Sequence, residues 1–464
     1  MVNTLMSASE VRKLLVERAV LPDRIVPGDA DEGISNSEVD VAPMLVVRCR
    51  DARDVESVVA VARQLDLSLA VRGGGYSPGG LGTIEGGIVV DVGDLHHIDV
   101  DVTGMRVRVG AGVLTGDLER ALDAHGLGMT LPVPSRAGVV GAALSGGVGV
   151  LLRKLGYISD AIVGATVVTG SGESVTVDEA DTTGLLWALK GGGGNFGVVT
   201  ELVFRCIVQQ RVTTAQLVFG QDRLRAALEF YRDWTPGLPD DVTAVAMFRS
   251  VPPFPGIAAD LVGTPGLILT VIHADPDAAE PDLAGLSAAP DPIFSRTTTG
   301  SLLELREAME RGFPAARFGA IIRSGWSAEL SDNDIIDLAA LAGALPSPHS
   351  IVEVVRLGGA IATMTDPGCA PGRDAEFLLN AMALWVDEAD AAGSRDWAVR
   401  GGTVIHSVAD GSALIPGFIS GDELDRADTT YDAQYARLRE LKTTFDPRNL
   451  FTRNLNIQPL RSTR

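Results

Sequence analysis

Hydrophobic residues recur along this chain with two spacings, which predict helices in some stretches and strands in others. Residues 7–19 and 52–67 have apolar positions three to four apart, as in an amphipathic helix, whereas 43–47 and 68–71 are short apolar runs typical of strands. A strand, a helix and a second strand form a β-α-β unit, whose right-handed crossover makes both strands parallel in one sheet. The N-terminal part therefore predicts an α/β lobe.

The alternation continues in the next part of the chain. Residues 86–92 and 105–112 predict strands, 116–128 predict a helix, and 161–177 predict a hairpin. Residues 185–206 follow as a helix, a glycine loop and a strand. We therefore expect a second α/β lobe after the first.

The pattern changes beyond about residue 207, where proline becomes frequent. Strand-like runs at 267–274 and 350–359 alternate there with a helical stretch at 376–392. From Tyr431 a last helix is predicted, which ends at Phe445-Asp446-Pro447. This indicates a second domain and a separate C-terminal segment.

Composition and charge narrow the class of protein. The 464 residues are 46 % hydrophobic and 21 % charged, as in globular proteins of two or three domains. Asp and Glu number 60 against 39 Lys and Arg, so the net charge of −21 opposes binding to nucleic acid. Three distant cysteines predict no disulfide framework or metal site, and no apolar run has the length of a signal peptide or a membrane span. We expect a cytoplasmic protein without metal or membrane attachment. The sequence leaves open whether the protein forms a homo-oligomer.

The clearest chemical signal is a glycine run after the second predicted strand. The sequence RGGGYSPGG occupies 72–80, and consecutive glycines after a strand present backbone amides to anionic oxygens, most often those of phosphate. The run is neither a Walker loop, since no Gly-Lys-Ser or Gly-Lys-Thr follows, nor a Rossmann G-x-G-x-x-G that opens a helix. Taken alone, it is either a phosphate site or a turn.

Two further glycine-rich segments lie downstream, GVVGAALSGGVG at 138–149 and GGGGNFGVV at 191–199. Glycine lets a ligand approach the main chain closely, so three such segments indicate one extended ligand that crosses several loops. The alternative is that each segment packs a crowded sheet edge.

Together these motifs resemble a known family. RGGGYSPGG, GGIVVDV, the segment ending in SGGVG, LRKLGYISD, LLWALKGGGGNFGVVTELVF and FDPRNLFTRNLNI stand here in the order and spacing of the FAD-linked oxidases that share the flavin fold of p-cresol methylhydroxylase and vanillyl-alcohol oxidase. Within that superfamily the chain is similar to the berberine-bridge-enzyme branch and its bacterial relatives. The resemblance covers 40–206 and 429–457 and is only general over 207–428.

The resemblance implies an α+β fold, in which a two-lobed FAD-binding domain of the p-cresol methylhydroxylase type accompanies an α/β substrate domain with an antiparallel sheet. The implied parts are an N-terminal helix and lead-in (1–35), the FAD-binding domain with two α/β lobes (36–206), the substrate-binding domain (207–428) and a C-terminal segment that returns to the FAD domain (429–464).

FAD is the cofactor that the resemblance implies. The amides of 73–77 would hold its pyrophosphate, 135–149 would follow the ribityl chain and ring, and Gly197 with Val199 would lie at the adenine end. The implied cofactor-binding residues are Arg72, Gly73, Gly74, Gly75, Tyr76, Ser77, Gly79, Ser135, Gly138, Val139, Gly141, Ala142, Ser145, Gly146, Gly149, Gly197, Val199, Asn454 and Asn456.

The chain departs from the family at both usual sites of covalent flavin attachment. Tyr76 stands where the branch usually has the His that is joined to the flavin, and Ser135 stands where some members add a Cys. A serine hydroxyl is too weak an acid to replace a thiolate, and a phenol with a pKa near 10 attacks the flavin only if its proton is withdrawn. We expect noncovalent FAD; a tyrosyl link or loss of the flavin are the alternatives.

Three residues are candidate bases for the chemistry. Tyr431 and Tyr435 are four positions apart, which places both on one face of a helix. The resemblance directs a tyrosine at the Tyr435 position toward the substrate, where a phenolate would take a proton as hydride leaves to flavin N5. His406 is a weaker second candidate base. The alternatives are ring packing for the tyrosines and a surface or strand position for His406.

The resemblance implies an FAD-dependent oxidoreductase of secondary metabolism or catabolism. We expect an oxidase that passes a hydride from a small or medium organic substrate, an alcohol, amine or phenol, to the flavin and then electrons to dioxygen. One alternative is a flavin-fold enzyme that catalyses a cyclisation or rearrangement without net redox change. The other is a flavin-free ligand-binding or resistance protein.

Overall fold

The strands form two larger sheets and a short pair up to residue 208 and one seven-stranded sheet beyond it. The computed structural model describes residues 7–31, 33–209, 211–314, 317–409 and 413–461. The strands are β1 (Ile25–Pro27), β2 (Leu45–Arg48), β3 (Leu69–Arg72), β4 (Ile88–Asp91), β5 (Ile98–Asp101), β6 (Arg106–Gly110), β7 (Leu127–Gly128), β8 (Ile162–Thr169), β9 (Ser174–Asp178), β10 (Gly197–Arg205), β11 (Ile207–Val208), β12 (Val212–Phe219), β13 (Val242–Ser250), β14 (Pro265–His273), β15 (Phe294–Gly300), β16 (Gly319–Ser327), β17 (Ile351–Arg356) and β18 (Phe377–Trp385). The α-helices are α1 (Ala8–Glu17), α2 (Ala52–Leu65), α3 (Thr115–Asp123), α4 (Val139–Leu144), α5 (Leu152–Leu155), α6 (Leu185–Leu189), α7 (Leu224–Trp234), α8 (Ala279–Asp282), α9 (Leu302–Glu310), α10 (Asp332–Ala342), α11 (Ala360–Thr363), α12 (Ala391–Val408), α13 (Ala427–Tyr431) and α14 (Tyr435–Phe445).

The first sheet contains the predicted β-α-β unit. Its order is β1-β2-β4-β3, and β2 and β3 both run parallel to β4. Asp51 caps the start of helix α2, because its carboxylate accepts the amides of Arg53 and Asp54. Asp66 caps its end in a left-handed conformation with φ 58°. The predictions for 52–67 and for the flanking strands are confirmed.

The second sheet is antiparallel, in the order β5-β6-β10-β8-β9. Strands β8 and β9 form the predicted hairpin, and β10 lies at the centre of the sheet. The two sheets share one hydrophobic core, in which Val58 of α2, Val90 of β4 and Leu202 of β10 are buried. Because the two sheets pack on one core, the loops that follow their strands are held in fixed positions relative to each other.

The seven-stranded sheet is antiparallel throughout and has the order β15-β12-β14-β13-β17-β18-β16. Alternation along β17 separates its two faces. Val352 and Val354 pack in one core cluster with helices α7, α10 and α12. Glu353 and Val355 point to the opposite face, where they line a cavity. The α+β fold class is confirmed, and no described helix is both long and apolar enough to cross a membrane.

The prediction of a helix over 376–392 is wrong. All nine residues of β18 are buried, because β17 and β16 pair with it on either side and the sheet is covered on both faces. A strand buried on both faces is a continuous apolar run, which periodicity alone does not distinguish from a buried helix. The helix α12 begins only at Ala391.

The prediction that Tyr431 and Tyr435 share one helix face is also wrong. Helix α13 ends at Tyr431, and Asp432 follows with a φ of 39°. A short 3₁₀ turn then leads into α14, which begins at Tyr435. The positive φ interrupts the helix, so spacing of four residues no longer sets the direction of the two rings.

Candidate active site

The loop that follows β3 is fixed at its start by a buried arginine. Arg72 Nη1 lies 2.6 Å from Asp31 Oδ2, and Arg72 Nη2 lies 2.9 Å from Asp91 Oδ2. Only 4 % of Arg72 is exposed, so both carboxylates are needed to neutralise its charge. Arg72 therefore anchors the glycine loop.

Residues 73–77 turn their backbone toward a cavity of about 360 Å³. Their amide N–H groups donate no hydrogen bond to any described residue. A Cβ on Gly74 would lie 2.7 Å from Gly138 N and 2.8 Å from Arg136 O, so this close packing of two backbones requires glycine. Unpaired amides in a concave loop are suited to bind the oxygens of a pyrophosphate.

The cavity lies between these glycine segments and the seven-stranded sheet. Most of the predicted cofactor-binding residues form its wall. They are Arg72, Gly73, Gly74, Gly75, Tyr76, Ser77, Gly138, Gly141, Ala142, Ser145, Gly149, Gly197, Val199 and Asn454. A Cβ on Gly141 would have no protein atom within 4 Å, because the position faces open space. The wall therefore leaves room for a ligand at Gly141.

The remaining predicted cofactor-binding residues lie outside the cavity wall. They are Gly79, Ser135, Val139, Gly146 and Asn456. Val139 is buried in the core, and the carbonyl of Gly79 accepts a hydrogen bond from Arg453. Ser135 is engaged by Glu310, as described below. Asn456 has a buried Oδ1 without a partner in the described part of the chain.

The C-terminal tail lies beside the glycine loop at 191–197. Asn454 Oδ1 accepts a hydrogen bond from Gly194 N at 3.2 Å. Asn195, which is fully buried, donates through Nδ2 to Leu455 O at 3.0 Å and accepts from Ile457 N at 3.0 Å. The tail is thereby held with Asn454 in the cavity wall.

None of the three predicted bases lies in this wall, and their catalytic assignment is corrected. The hydroxyl of Tyr431 is buried and donates to Gly191 O at 3.0 Å. Tyr435 lines a separate surface pocket with Arg439. His406 is on α12, where Nδ1 is 2.7 Å from Gly402 O and Nε2 is 3.2 Å from Arg426. The break at Asp432 and the helical position of His406 direct all three away from the cavity.

Glu353 is the titratable residue that sequence reasoning missed. It lies on β17 in the cavity wall, and its Oε2 accepts a hydrogen bond from Asn380 Nδ2 at 2.8 Å. Burial raises the pKa of Glu353, and the hydrogen bond from Asn380 opposes that rise. The signal was present in the sequence, because Glu353 is the single charged residue within the apolar run 351–355.

Arg453 was also missed. It lies in the cavity wall, and its Nε donates to Thr83 O at 3.1 Å while Nη2 donates to Gly79 O at 3.3 Å. Both partners are neutral carbonyls, and no described carboxylate pairs with the charge of Arg453. Burial lowers the pKa of Arg453. A guanidinium placed in this way is a candidate to neutralise a phosphate.

Tyr76 and Ser135 each have a protein partner. The ring of Tyr76 packs against Phe318, with 5.8 Å between ring centroids. Burial, together with the charge of Glu310, raises the pKa of Tyr76 to about 12. Ser135 donates its amide to Glu310 Oε1 at 2.8 Å, and its hydroxyl donates to the same oxygen. Both groups therefore stay protonated near neutral pH.

FAD fits these features. The unpaired amides of 73–77 would hold the pyrophosphate, Arg453 would add a positive charge, and the glycine wall around Gly141 leaves space for the ribityl chain and ring. Glu353 lines the same cavity from the side that the seven-stranded sheet provides.

Comparison with known families supports the same cofactor. The family described as "FAD binding domain" matches residues 43–178, and the family described as "Berberine and berberine like" matches residues 417–458. The chain is 42 % identical over 160 residues to (R)-6-hydroxynicotine oxidase of Paenarthrobacter nicotinovorans, and this match spans 34 % of the chain and 35 % of that protein. An FAD-linked oxidoreductase of Dictyostelium discoideum is 23 % identical over 439 residues, which span 92 % of this chain and 91 % of that one.

Solved structures show the likeness over nearly the whole chain. The crystal structure of 6-hydroxy-D-nicotine oxidase from Arthrobacter nicotinovorans has a TM-score of 0.82 at 26 % identity, covering 94 % of this chain and 98 % of that one. BBE-like 1 of Physcomitrella patens has a TM-score of 0.84 at 20 % identity, covering 97 % and 99 %, which is a likeness of fold.

Proposed function

We propose that this chain, which is similar to FAD-linked oxidoreductases of the berberine-bridge-enzyme-like branch, oxidises a small organic molecule and returns the electrons to dioxygen. FAD, its cofactor, supplies the acceptor for a hydride at N5 and the route for electrons to dioxygen. Substrates of the alcohol, amine or phenol class are compatible with this chemistry. The protein contributes the binding of the flavin, the orientation of the substrate and a group that accepts a proton.

The observation that supports this proposal is the position of Glu353. Its carboxyl lies in the cavity on the face of the seven-stranded sheet that is opposite the glycine loops. Because Asn380 donates to one carboxylate oxygen, the other oxygen is available to a substrate. A raised pKa makes the Glu353 carboxylate a stronger base than an exposed one, so it accepts the proton on the oxygen or nitrogen of the substrate, whereas the hydrogen on carbon leaves as hydride.

We further propose that FAD is bound without a covalent link. The Tyr76 phenol, with a pKa of about 12, has no described base that withdraws its proton, and the hydroxyl of Ser135 is hydrogen-bonded to Glu310. The flavin is then retained by the amides of 73–77, by Arg453 and by the cavity walls. Acid precipitation of the purified protein should leave the yellow colour in the supernatant. Colour that stays with the pellet would refute noncovalent binding.

The redox function is tested on the purified holoprotein under anaerobic conditions. A panel of alcohols, amines and phenols is added, and the flavin absorbance near 450 nm is followed. We expect at least one compound to bleach the flavin, and air to restore the colour with release of hydrogen peroxide. A flavin that no compound of these classes bleaches would favour a function without net redox change. A colourless protein that cannot be reconstituted with FAD would exclude the redox function.

The role of Glu353 is tested by Glu353→Gln with the compound that bleaches the flavin. Loss of the base should slow flavin reduction by roughly 10²-fold or more, while flavin content stays unchanged. In the wild type, the reduction rate should rise with pH as the Glu353 carboxyl loses its proton, at a pH above the ordinary carboxyl range because its pKa is raised. The Glu353→Gln variant should lack this rise of the reduction rate with pH. An unchanged pH profile in Glu353→Gln would remove Glu353 from the mechanism.

A further inference from the structure

The part of the cavity wall that the seven-stranded sheet provides is almost entirely apolar. Among the described residues 212–385, Thr243 and Glu353 are the polar side chains of the wall. The others are aliphatic, methionine or phenylalanine side chains, including Met247, Phe318 and Met382. A sugar, which has a hydroxyl on almost every carbon, would leave most of these hydroxyls without a partner against this wall. The wall therefore fits a compact molecule with few polar atoms.

No positive charge of the described protein balances Glu353. The two arginines of the cavity wall are engaged elsewhere, since Arg72 pairs with Asp31 and Asp91 and Arg453 donates to loop carbonyls. The partner of the Glu353 carboxyl in the described part of the chain is the neutral amide of Asn380. A buried carboxylate without a cation is costly, so a positively charged ligand gains more here than a neutral one.

The amide of Asn380 beside Glu353 brings no positive charge to the carboxylate. Asn380 is fully buried, and its Oδ1 has no hydrogen-bond partner among the described residues. Asn380 is directly opposite Glu353 in the pairing of β17 with β18. The Oδ1 of Asn380 is buried and Asn380 lies outside the cavity wall, so the free carboxylate oxygen of Glu353 is the acceptor that this part of the wall presents to a ligand. A protonated amine pairs with that carboxylate through a charged N–H donor, whereas an alcohol offers one neutral O–H.

We propose that the substrate is a compact apolar amine whose protonated nitrogen pairs with Glu353, an inference that rests on the proposed oxidoreductase function. In the reaction the ammonium proton passes to the Glu353 carboxylate, which gives the neutral amine. The hydrogen on the carbon next to the nitrogen then leaves with both electrons of its bond to the bound flavin, and the substrate becomes an iminium cation. Electrons and charge balance, because the amine loses two electrons and the flavin gains two.

The test measures binding to the oxidised holoprotein by the change in the flavin visible spectrum at pH 7. The probes are N-methylbenzylamine, which is protonated at this pH, benzyl alcohol, which has the same ring without the charge, and glucose. We expect the amine to bind at least about tenfold more tightly than the alcohol, and glucose to cause no spectral change. In Glu353→Gln the preference for the amine should fall to less than about twofold.

Two control variants keep this test specific. Glu376→Gln makes the same chemical change directly before the start of β18 but outside the cavity wall, where Glu376 pairs with Arg356, and it should retain the preference. Glu353→Asp keeps the negative charge, so it should retain at least part of the preference for the amine. Flavin content shows that each variant is folded.

The outcomes separate this inference from the proposed function. Equal binding of amine and alcohol, or a preference that persists in Glu353→Gln, would overturn the amine assignment. Bleaching of the flavin by alcohols together with weak binding of amines would also overturn it, yet it would leave the oxidase function intact. Tight, Glu353-dependent amine binding without bleaching by any amine would support the binding site and count against the redox function.

Discussion

At the scale of single residues, the absence of a side chain determines what the cavity holds. Gly141, on the short helix α4, faces the cavity, and a Cβ at this position would meet no protein atom within 4 Å. By contrast, a Cβ on Gly74 would meet backbone atoms of Gly138 and Arg136. A larger residue at 141 therefore competes with the ligand alone, whereas one at 74 also disturbs the protein.

This difference leads to a prediction for Gly141→Val. The added side chain occupies space that the flavin needs, so FAD occupancy should fall by roughly tenfold or more, while the folded protein remains. The measurement is the ratio of flavin absorbance to protein absorbance after purification. Gly393→Val is the matched control, because Gly393 also lies in a helix with no atom near its Cβ position but outside the cavity wall. Full occupancy in Gly141→Val would show that the flavin does not pass this position.

At the scale of elements, a buried ion pair lies where the last helix joins the core shared by the first two sheets. Lys442 and Asp446, one turn apart at the end of α14, are both fully buried, and Nζ lies 2.8 Å from Asp446 Oδ2. The same ammonium donates to Asn195 O and Phe451 O, and the carboxylate accepts the amides of Leu450 and Phe451. The helix end thereby holds the tail that carries Asn454 to the cavity.

Lys442→Ala should therefore be strongly destabilising. It leaves the Asp446 carboxylate buried without its cation, a change that costs about 3–5 kcal/mol in comparable cases. We expect a lower Tm and weaker retention of FAD. Lys13→Ala removes an exposed lysine that is 3.9 Å from Glu17 on α1, and it should change the free energy of unfolding by less than about 1 kcal/mol. Equal Tm values for the two variants would contradict the role assigned to Lys442.

Elements of this fold were predictable from sequence where the pattern is local. The β-α-β unit around α2, the hairpin β8–β9 and the end of α14 at Phe445 follow from periodicity and turn residues. The strand β18 was not predictable in this way, because burial on both faces removes the alternation of apolar and polar residues along it. The direction of Tyr435 depended on a single positive φ at Asp432, which spacing does not reveal. Whether Glu353 lines the cavity depends on which sheet face it occupies, and tertiary packing decides that.

At the scale of the whole molecule, the cavity joins two separately packed parts of the chain. Its walls combine glycine loops from the core shared by the first two sheets with the face of the seven-stranded sheet that packs around Tyr76 and Phe318. Further links cross the same boundary. Glu310 on α9 holds Ser135, and Arg306 on α9 forms a buried ion pair with Glu119 on α3. A cofactor in this cavity contacts both parts and adds its binding free energy to their association.

If FAD is noncovalent, the thermal stability of the protein should therefore depend on the concentration of free FAD. A ligand that binds only the folded state adds about 2.7 kcal/mol to the free energy of unfolding at a hundredfold excess over its Kd, and further excess continues to raise it. We expect flavin-depleted protein to have a lower Tm, which added FAD restores in a concentration-dependent manner. Riboflavin lacks the pyrophosphate that the amides of 73–77 would hold, so it should restore much less. A Tm that is independent of added FAD would indicate that the flavin is covalently attached or that it does not bridge the two parts. Recovery of Tm by riboflavin as complete as that by FAD would remove the glycine loop from cofactor binding.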